Sequence, residues 1–326
     1  MAYIRQNFSD DIHFVTNRCE HEMFFLLPNK ETNDLIRYWM ARGISKYAQN
    51  LEVFAFCFLS NHFHMLVRDP SGQLAIFMSY FEGNLARAVN KKIGREGTFW
   101  SREFDDVIVD GEDEFWDRYA YTTLNPVSSG LVDRGTQWRG VCSLLHALKH
   151  EPVVGVGINQ TRYGNATRFK KKARKKDFEE TYTFKLAVPP MLADQTPQQR
   201  TDFLKQLLKS ATNKYHSKRN GKPALGMKRV FAQQCFDRPQ NPKKCARFKF
   251  MSFCKTRLKI LEESYKAFVD CYKRCVHILN CRVEDSNPLF SAISIHNPIF
   301  WPDGCYPPTR HRPTGIMPGL PVYRHG

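Results

Sequence analysis

One stretch of the chain constrains its fold more than any other. Residues 53–59 form an apolar run, Ser60 and Asn61 interrupt it, and His62, Phe63 and His64 follow. β-Branched and aromatic residues on both sides of a Ser-Asn break predict two antiparallel strands joined by a tight turn. Because side chains alternate between the faces of a strand, the two histidines share one face and Phe63 points into the core on the other.

Two imidazoles at positions i and i+2 of a strand lie side by side and can bind one metal ion. The same pattern also fits a half-solvated sheet face that carries histidine without any metal. A choice between these interpretations depends on what the rest of the chain brings to that face.

In the first 130 residues, segments with the two-residue period of strands and segments with the 3.6-residue period of helices follow one another in an order typical of an α+β fold. Strands are predicted at residues 12–18, 53–59, 62–67 and 104–109, with residues 23–27 as a short extension of the same sheet. Helices are predicted from residue 31 to about 48, from 73 to about 88, and from 111 to 125, where Pro126 ends or kinks the last one. Residues 1–150 are therefore expected to form one domain, a sheet with helices packed on it.

The positive charge is confined to the second half of the chain. Residues 1–150 hold 16 Lys and Arg against 19 Asp and Glu, a balance of −3, whereas residues 151–326 hold 33 against 13, a balance of +20. A field of that size favours polyanions, and nucleic acid fits better than a membrane because no basic amphipathic anchor is visible. The acidic first half would need another means of holding an anion, such as a metal ion.

The second half is expected to contain a basic linker and a helical extension. Residues 151–195 are predicted as the linker, with a glycine-bearing loop at 152–165, and residues 196–326 as a mostly helical region that contacts DNA or serves as structure. The linker contains a dense basic run, which suits either phosphate contacts or a solvated connection. Its predicted DNA-binding residues are Arg168, Lys170, Lys171, Lys172, Arg174, Lys175 and Lys176.

Cysteine usage and hydropathy bear on the cellular compartment. The ten cysteines include no Cys-x-x-Cys pair, which gives a structural zinc site little support. The N-terminal residues contain no apolar signal segment, and no apolar run reaches the length of a membrane span. Reduced thiols in a cytoplasm are therefore expected.

A second constellation lies at the end of the third predicted helix. Tyr121 and Asn125 are four residues apart and would share a helical face, although tyrosines at such positions are often amphipathic residues at the edge of a core. A tyrosine hydroxyl becomes useful for phosphoryl transfer when a divalent cation polarises the scissile phosphate. His62, His64 and Asn125 could supply three ligands, and mixed nitrogen and oxygen ligation suits Mn²⁺, with Mg²⁺ as the alternative.

Four blocks of the sequence together resemble a known family. Residues 61–67 resemble the His-hydrophobic-His motif of HUH endonucleases, and residues 121–132 resemble the Tyr-x-x-x-Asn-Pro-x-x-x-Gly-Leu-Val block of the REP-associated tyrosine transposases. Residues 13–18 and 98–104 are similar to two further segments of that family. The resemblance spans about residues 10–145, with Leu59-Ser60 where the family often has Met-Pro and with Thr122 where an aliphatic residue is common.

The resemblance implies both a fold and a chemistry. The fold would be a ferredoxin-like HUH domain; the basic, mainly helical extension that follows it matches no block of the family and is predicted from its own composition. Tyr121 would be the nucleophile, with His62 and His64 as metal ligands and Asn125 as the third. The substrate would be single-stranded DNA near hairpins of palindromic repeats, in the bacterial nucleoid, and cleavage would leave a 5′-phosphotyrosine link and a free 3′-hydroxyl for strand transfer.

Two other classes of function remain open at the level of sequence. One is a DNA-hairpin-binding protein that recognises or regulates without cleavage, and the other is an HUH replication initiator or plasmid relaxase. The single well-placed tyrosine, which follows the histidines, favours the transposase branch. Both a monomer and a homodimer are compatible with the sequence.

Overall fold

A computed structural model describes residues 10–169, 173–239 and 249–284 of the 326-residue chain. The first elements follow the order strand, helix, strand, strand, helix, strand. They are β1 (Ile12–Arg18), α1 (Lys30–Tyr47), β2 (Glu52–Phe58), β3 (His62–Arg68), α2 (Leu74–Ile93) and β4 (Asp105–Val109). Two helices then come in close succession, α3 (Glu112–Thr123) and the short α4 (Asn125–Ser128).

The second half of the chain adds both helices and strands. Its elements are α5 (Leu144–Lys149), β5 (Val153–Ile158), α6 (Gln160–Phe169), β6 (Glu179–Phe184), α7 (Pro197–Lys218), α8 (Met227–Phe231), β7 (Phe250–Met251) and α9 (Lys255–Glu284). The described residues from 10 to 262 form one compact unit, and the described part of the other unit is residues 263–284, the last 22 residues of α9. Among the described residues, no helix has the length and apolar content needed to cross a membrane.

The main sheet has the strand order β2-β3-β1-β4-β7. Strands β2, β3, β1 and β4 pair antiparallel, while the two-residue β7 pairs parallel to β4. A β-α-β-β-α-β chain with this order is the ferredoxin-like arrangement, which confirms the predicted α+β class. Strand β3 lies inside the sheet between β2 and β1, so both of its edges are hydrogen-bonded and its register is fixed.

Helices cover both faces of this sheet. Helices α1 and α2 pack on the face that carries Phe63, Met65 and Val67. Helices α3 and α7 pack on the other face, which carries Phe14 and Leu66. Local capping explains where the first two helices begin, because the Asn29 side chain accepts a hydrogen bond from Thr32 N and Asp69 accepts two at the start of α2.

Two predictions about short segments are wrong. Residues 23–27 form no strand; Phe25 and Leu26 are instead buried as an irregular segment that Leu26 N anchors to Ser60 O. Residues 152–165 are not a loop, since they contain β5 and most of α6. An apolar run alone does not distinguish a strand from a buried irregular segment, and glycine alone does not establish a loop.

The segment predicted as a linker, residues 151–195, is largely structured. Strands β5 and β6 form an antiparallel hairpin whose Val153 and Phe184 join the apolar core beneath α1. Gly155 approaches the backbone of α1 so closely that a Cβ atom there would lie 2.4 Å from Arg37 O. Glycine is needed in this strand for that close approach. Residues 297–318, which are rich in proline and predicted as a loop-like tail, and the rest of 285–326 lie outside the described residues.

Candidate active site

The two histidines of β3 lie on the face of the sheet that α3 covers. Their ring centroids are 5.0 Å apart, as expected for residues two positions apart on one strand. His64 pairs with Cys57 of β2 on one side and with Thr16 of β1 on the other. This double pairing holds the His64 ring at a fixed place in the middle of the sheet.

The His64 ring lies against two aromatic rings, and its nitrogens have no hydrogen-bond partner among the described residues. Phe14 stacks against its ring at a centroid distance of 5.1 Å, and Tyr121 meets it edge-on at 5.2 Å. Both ring nitrogens are buried, and neither is hydrogen-bonded to any described residue. A buried nitrogen left unbonded costs about 1–3 kcal/mol, so two such atoms in one ring indicate a ligand-binding position rather than a structural one.

The ring of His62 is oriented by the residue before it. Its Nδ1 lies 2.7 Å from Asn61 Oδ1, while Asn61 Nδ2 donates to Glu22 O at 3.1 Å. Because the Asn61 oxygen can only accept, Nδ1 carries the proton and the lone pair lies on Nε2. A histidine held this way by an outer hydrogen bond is typical of a metal ligand.

Burial keeps both histidines uncharged. It lowers the pKa of His62 to about 3, with the Arg18 charge acting in the same direction and a hydrogen bond to Asn125 opposing it. Burial also lowers the pKa of His64 well below its usual value, and the His62, Arg18 and Arg118 side chains add to that effect. Neutral imidazoles offer lone pairs to a cation at physiological pH.

Tyr121 and Asn125 reach the same face, but they do not lie on one helix as predicted. Helix α3 ends at Thr123, Leu124 has φ −104° and ψ 19°, and α4 begins at Asn125 with Pro126 next to it. Asn125 is fully buried beside His62, and its Nδ2 has no hydrogen-bond partner among the described residues. The break therefore lets Asn125 turn toward the histidines independently of Tyr121.

The three side chains fit a divalent cation. Two neutral imidazoles and one amide oxygen form the mixed nitrogen and oxygen donor set that Mn²⁺ accepts and Mg²⁺ tolerates. The unbonded nitrogens of His64 support such a role for this chain. Across the described residues, no group of three His, Cys, Asp or Glu side chains is placed to hold a metal, so the amide is essential to this candidate set.

Tyr119, two residues before Tyr121, has a different environment. It is 2% exposed and packs against Phe115 and Trp116 in the apolar core. Burial raises its pKa above the usual range for tyrosine. Tyr119 therefore belongs to the apolar core.

Two side chains that the sequence did not single out also lie at this face. The Arg118 guanidinium lies 4.9 Å from the centre of the Tyr121 ring, and Tyr215 of α7 interacts electrostatically with Asp117, Arg118 and Tyr121. The spacing of Arg118, one helical turn before Tyr121, was the only available signal for it. Nothing in the sequence around Tyr215 indicated that α7 reaches the site.

The predicted DNA-binding run does not belong to this site. Arg168 lies in the last turn of α6, and Arg174, Lys175 and Lys176 are exposed beside the β5–β6 hairpin. This hairpin packs on α1 and thus on the opposite side of the sheet. Arg174 forms an exposed ion pair with Asp177 at 3.2 Å. Lys170, Lys171 and Lys172 lie outside the described residues, and contact of the run with DNA stays a prediction.

Comparisons with known proteins give distant structural similarities only. No protein-family model and no curated protein matches the chain. A structure described as a REP-associated tyrosine transposase bound to a REP hairpin is 16% identical, with a TM-score of 0.38 over 46% of this chain and 86% of that chain. A putative transposase from Deinococcus radiodurans is 13% identical, with a TM-score of 0.24 over 33% and 82%.

Both of these structural neighbours are described as transposases, the class that the sequence blocks resemble. The similarities are too distant to assign the chain to a family. Its function is therefore inferred from the geometry of the site and from those blocks.

Proposed function

We propose that this protein is a metal-dependent DNA endonuclease and strand transferase of the single-tyrosine HUH type. Tyr121 would attack single-stranded DNA near hairpins such as palindromic repeats. The observation that supports this most strongly is the His64 ring, which has two buried nitrogens without a partner among the described residues and a centroid 5.0 Å from that of His62 and 5.2 Å from that of Tyr121. A core histidine would have found hydrogen-bond partners.

His62, His64 and Asn125 would hold the divalent ion, Mg²⁺ or Mn²⁺. When bound, the ion would neutralise charge on the scissile phosphate and so make it susceptible to a weak nucleophile. The low pKa of both histidines, set by burial, keeps their lone pairs available for this purpose.

Tyr121 would carry the covalent step. Its Oη forms a bond to phosphorus while the bond from phosphorus to the 3′-oxygen breaks, and that oxygen takes up a proton to become a free 3′-hydroxyl. The product is a 5′-phosphotyrosine ester that retains the energy of the broken bond. A later 3′-hydroxyl can attack the ester and rejoin the strand, which suits transposition and recombination more than degradation.

The preference for DNA rests on charge and on the resemblance of the sequence blocks. Residues 151–326 carry a balance of +20, enough to attract a polyanion without sequence preference. Hairpins of palindromic repeats follow from the resemblance of residues 121–132 to the REP-associated family. Action in the bacterial nucleoid belongs to the same proposal.

A denaturing gel of labelled hairpin oligonucleotides tests the proposal. Wild-type protein with Mn²⁺ or Mg²⁺ is expected to give a covalent protein–DNA band that Tyr121→Phe, His62→Ala and a chelator each abolish. Tyr119→Phe is the matched control, because it removes the same hydroxyl two residues away in the core, and it should leave the band intact.

The pattern of bands separates the competing functions. Hairpin binding without an adduct at any metal would point to a recognition protein. Cleavage that survives Tyr121→Phe would point to a phosphodiesterase that uses water as nucleophile. An adduct formed with origin-like strands but never with hairpins would favour a replication initiator or relaxase.

A further inference from the structure

Arg118 is the cation that faces the proposed nucleophile. Its guanidinium carbon lies 4.9 Å from the centre of the Tyr121 ring and 5.5 Å from that of Phe14. Residues three apart on a helix share a face, so α3 presents both side chains toward β3.

The Asp117 carboxylate holds this guanidinium and also contacts a lysine. Arg118 Nη2 donates to Asp117 Oδ2 at 2.6 Å, and Lys214 Nζ of α7 lies 3.7 Å from Asp117 Oδ1. One carboxylate thus lies between two cations, and the trio keeps a net positive charge. An arginine needed only to neutralise Asp117 would not require a second cation on the same carboxylate.

The guanidinium has donors left for a further anion. Arg118 Nε is buried and has no hydrogen-bond partner among the described residues, and Asp117 occupies only part of the five-donor fork. The side chain is 21% exposed, so part of it is accessible from solvent. Arginine binds phosphate through two parallel hydrogen bonds, a geometry that lysine does not match.

We infer that Arg118 binds the phosphodiester that Tyr121 attacks, with Asp117 and Lys214 as positioning residues that hold the guanidinium. The inference rests on the proposed function, because it names the group that binds the reacting phosphate on the tyrosine side of the site. Arg118 would be a catalytic residue, since it touches the reacting phosphate. It stabilises the extra negative charge on the phosphate oxygens as the Tyr121 oxygen adds.

A binding experiment tests the contact without any chemistry. In the Tyr121→Phe background, each phosphate of a single-stranded hairpin oligonucleotide is replaced in turn by an uncharged methylphosphonate. At one position the replacement should weaken binding by about tenfold, the size expected for a hydrogen bond to a charged group. Adding Arg118→Ala should abolish the sensitivity at that position and at no other.

A kinetic experiment tests the catalytic role. Arg118→Ala should slow adduct formation by about 100-fold or more, comparable to the loss of one donor to a transition-state oxyanion. Millimolar guanidinium should restore part of the rate, and Arg118→Lys should restore less than the native arginine. Asp117→Asn should give a smaller loss. Arg37→Ala is the matched control, because it removes an arginine from an intrahelical ion pair on α1.

The two experiments separate failure of this inference from failure of the proposed function. Suppose that wild type forms an adduct, but that every methylphosphonate replacement weakens binding equally with and without Arg118→Ala. The inference about Arg118 is then wrong, and the proposed function stands. If wild type forms no adduct while one phosphate shows the Arg118 dependence, the nuclease proposal fails and the phosphate contact stands. A slow Arg118→Ala variant that guanidinium does not rescue, and that unfolds more easily than Arg37→Ala, would show a structural role only.

Discussion

The two faces of strand β3 differ in how completely the contacts and hydrogen bonds of their buried side chains are formed. Phe63, on the face under α1 and α2, is fully buried and contacts the rings of Phe58, Phe81 and Trp100. His64, the next residue, is nearly as buried on the face under α3, yet neither of its nitrogens is hydrogen-bonded to a described residue. Phe63 thus contributes stability, whereas the unbonded nitrogens of His64 reduce it.

A second histidine shows that the fold can satisfy a buried imidazole. His13 of β1 is 1% exposed, and its Nδ1 lies 2.8 Å from Asp106 Oδ1 of the neighbouring strand. It alternates with Phe14, so it lies on the face away from Tyr121. The contrast between His13 and His64 teaches that the lack of partners at His64 is a property of its face and not of histidine in this sheet.

The largest effect on stability is expected from Phe63→Ala. Removal of a fully buried aromatic ring should lower the free energy of unfolding by about 3–5 kcal/mol, through lost transfer free energy and the cavity left behind. Urea unfolding followed by circular dichroism measures this. Phe63→Leu, which keeps most of the volume, should cost far less. Equal losses for both variants would contradict the view that this face is a closely packed core.

A smaller effect, of opposite sign, is expected from His64→Leu. Leucine fills the site without two unbonded nitrogens, so the free energy of unfolding should rise by about 1–3 kcal/mol in the absence of metal, while adduct formation is lost. His13→Leu is the matched control on the other face. It removes the hydrogen-bonded partner of a buried carboxylate and should destabilise the protein. If His64→Leu and His13→Leu shift the unfolding midpoint in the same direction, the proposed difference between the two faces is wrong.

The smallest effect is a pH dependence from His13. Burial alone would lower its pKa, but the charge of Asp106 and the hydrogen bond to it outweigh burial and raise the pKa above the usual 6.5. A raised pKa in the folded state gives stability that is complete below about pH 6.5 and is lost as the pH rises through the folded value. Each pH unit in that window changes the unfolding free energy by at most about 1.4 kcal/mol.

Unfolding of wild type and His13→Gln from pH 5 to 9 isolates this contribution. The difference in free energy between the two proteins should be largest at acidic pH and should shrink as the pH rises above about 6.5. A difference that is independent of pH would mean that His13 is neutral in the folded protein throughout this range.

The order of the strands and helices could be predicted because local patterns determine it. Alternation of apolar residues predicted β1, β2 and β3, and the Ser60-Asn61 break placed their hairpin at the observed position. The β5–β6 hairpin was missed because Gly155 reads as a turn residue in sequence. Its true requirement, a backbone that approaches α1 closely, is a tertiary contact that no local pattern contains.

The sequence predicted the members of the candidate site whose position follows from residue spacing. It did not predict those whose position depends on how helices pack. The i, i+2 spacing put His62 and His64 on one face, and the structure brings Tyr121 and Asn125 to it. The break at Leu124 was not expected to separate the two into different helices, although Pro126 indicated a kink. Arg118 and its link to Lys214 depend on how α7 packs, which the sequence did not reveal.

The packing of α7 has a consequence for how the protein is made. Leu208 of this helix shares an apolar cluster with Ala120, Leu124 and Val127, the residues around the proposed nucleophile. At ordinary rates of translation, the roughly 80 residues between Val127 and Leu208 take about 4–16 s to synthesise. During that interval the nascent chain exposes the apolar surface formed by Ala120, Leu124 and Val127. A gene fragment that stops near residue 150 would leave that surface permanently uncovered, so a short ferredoxin-like fragment is a poor substitute for the longer chain.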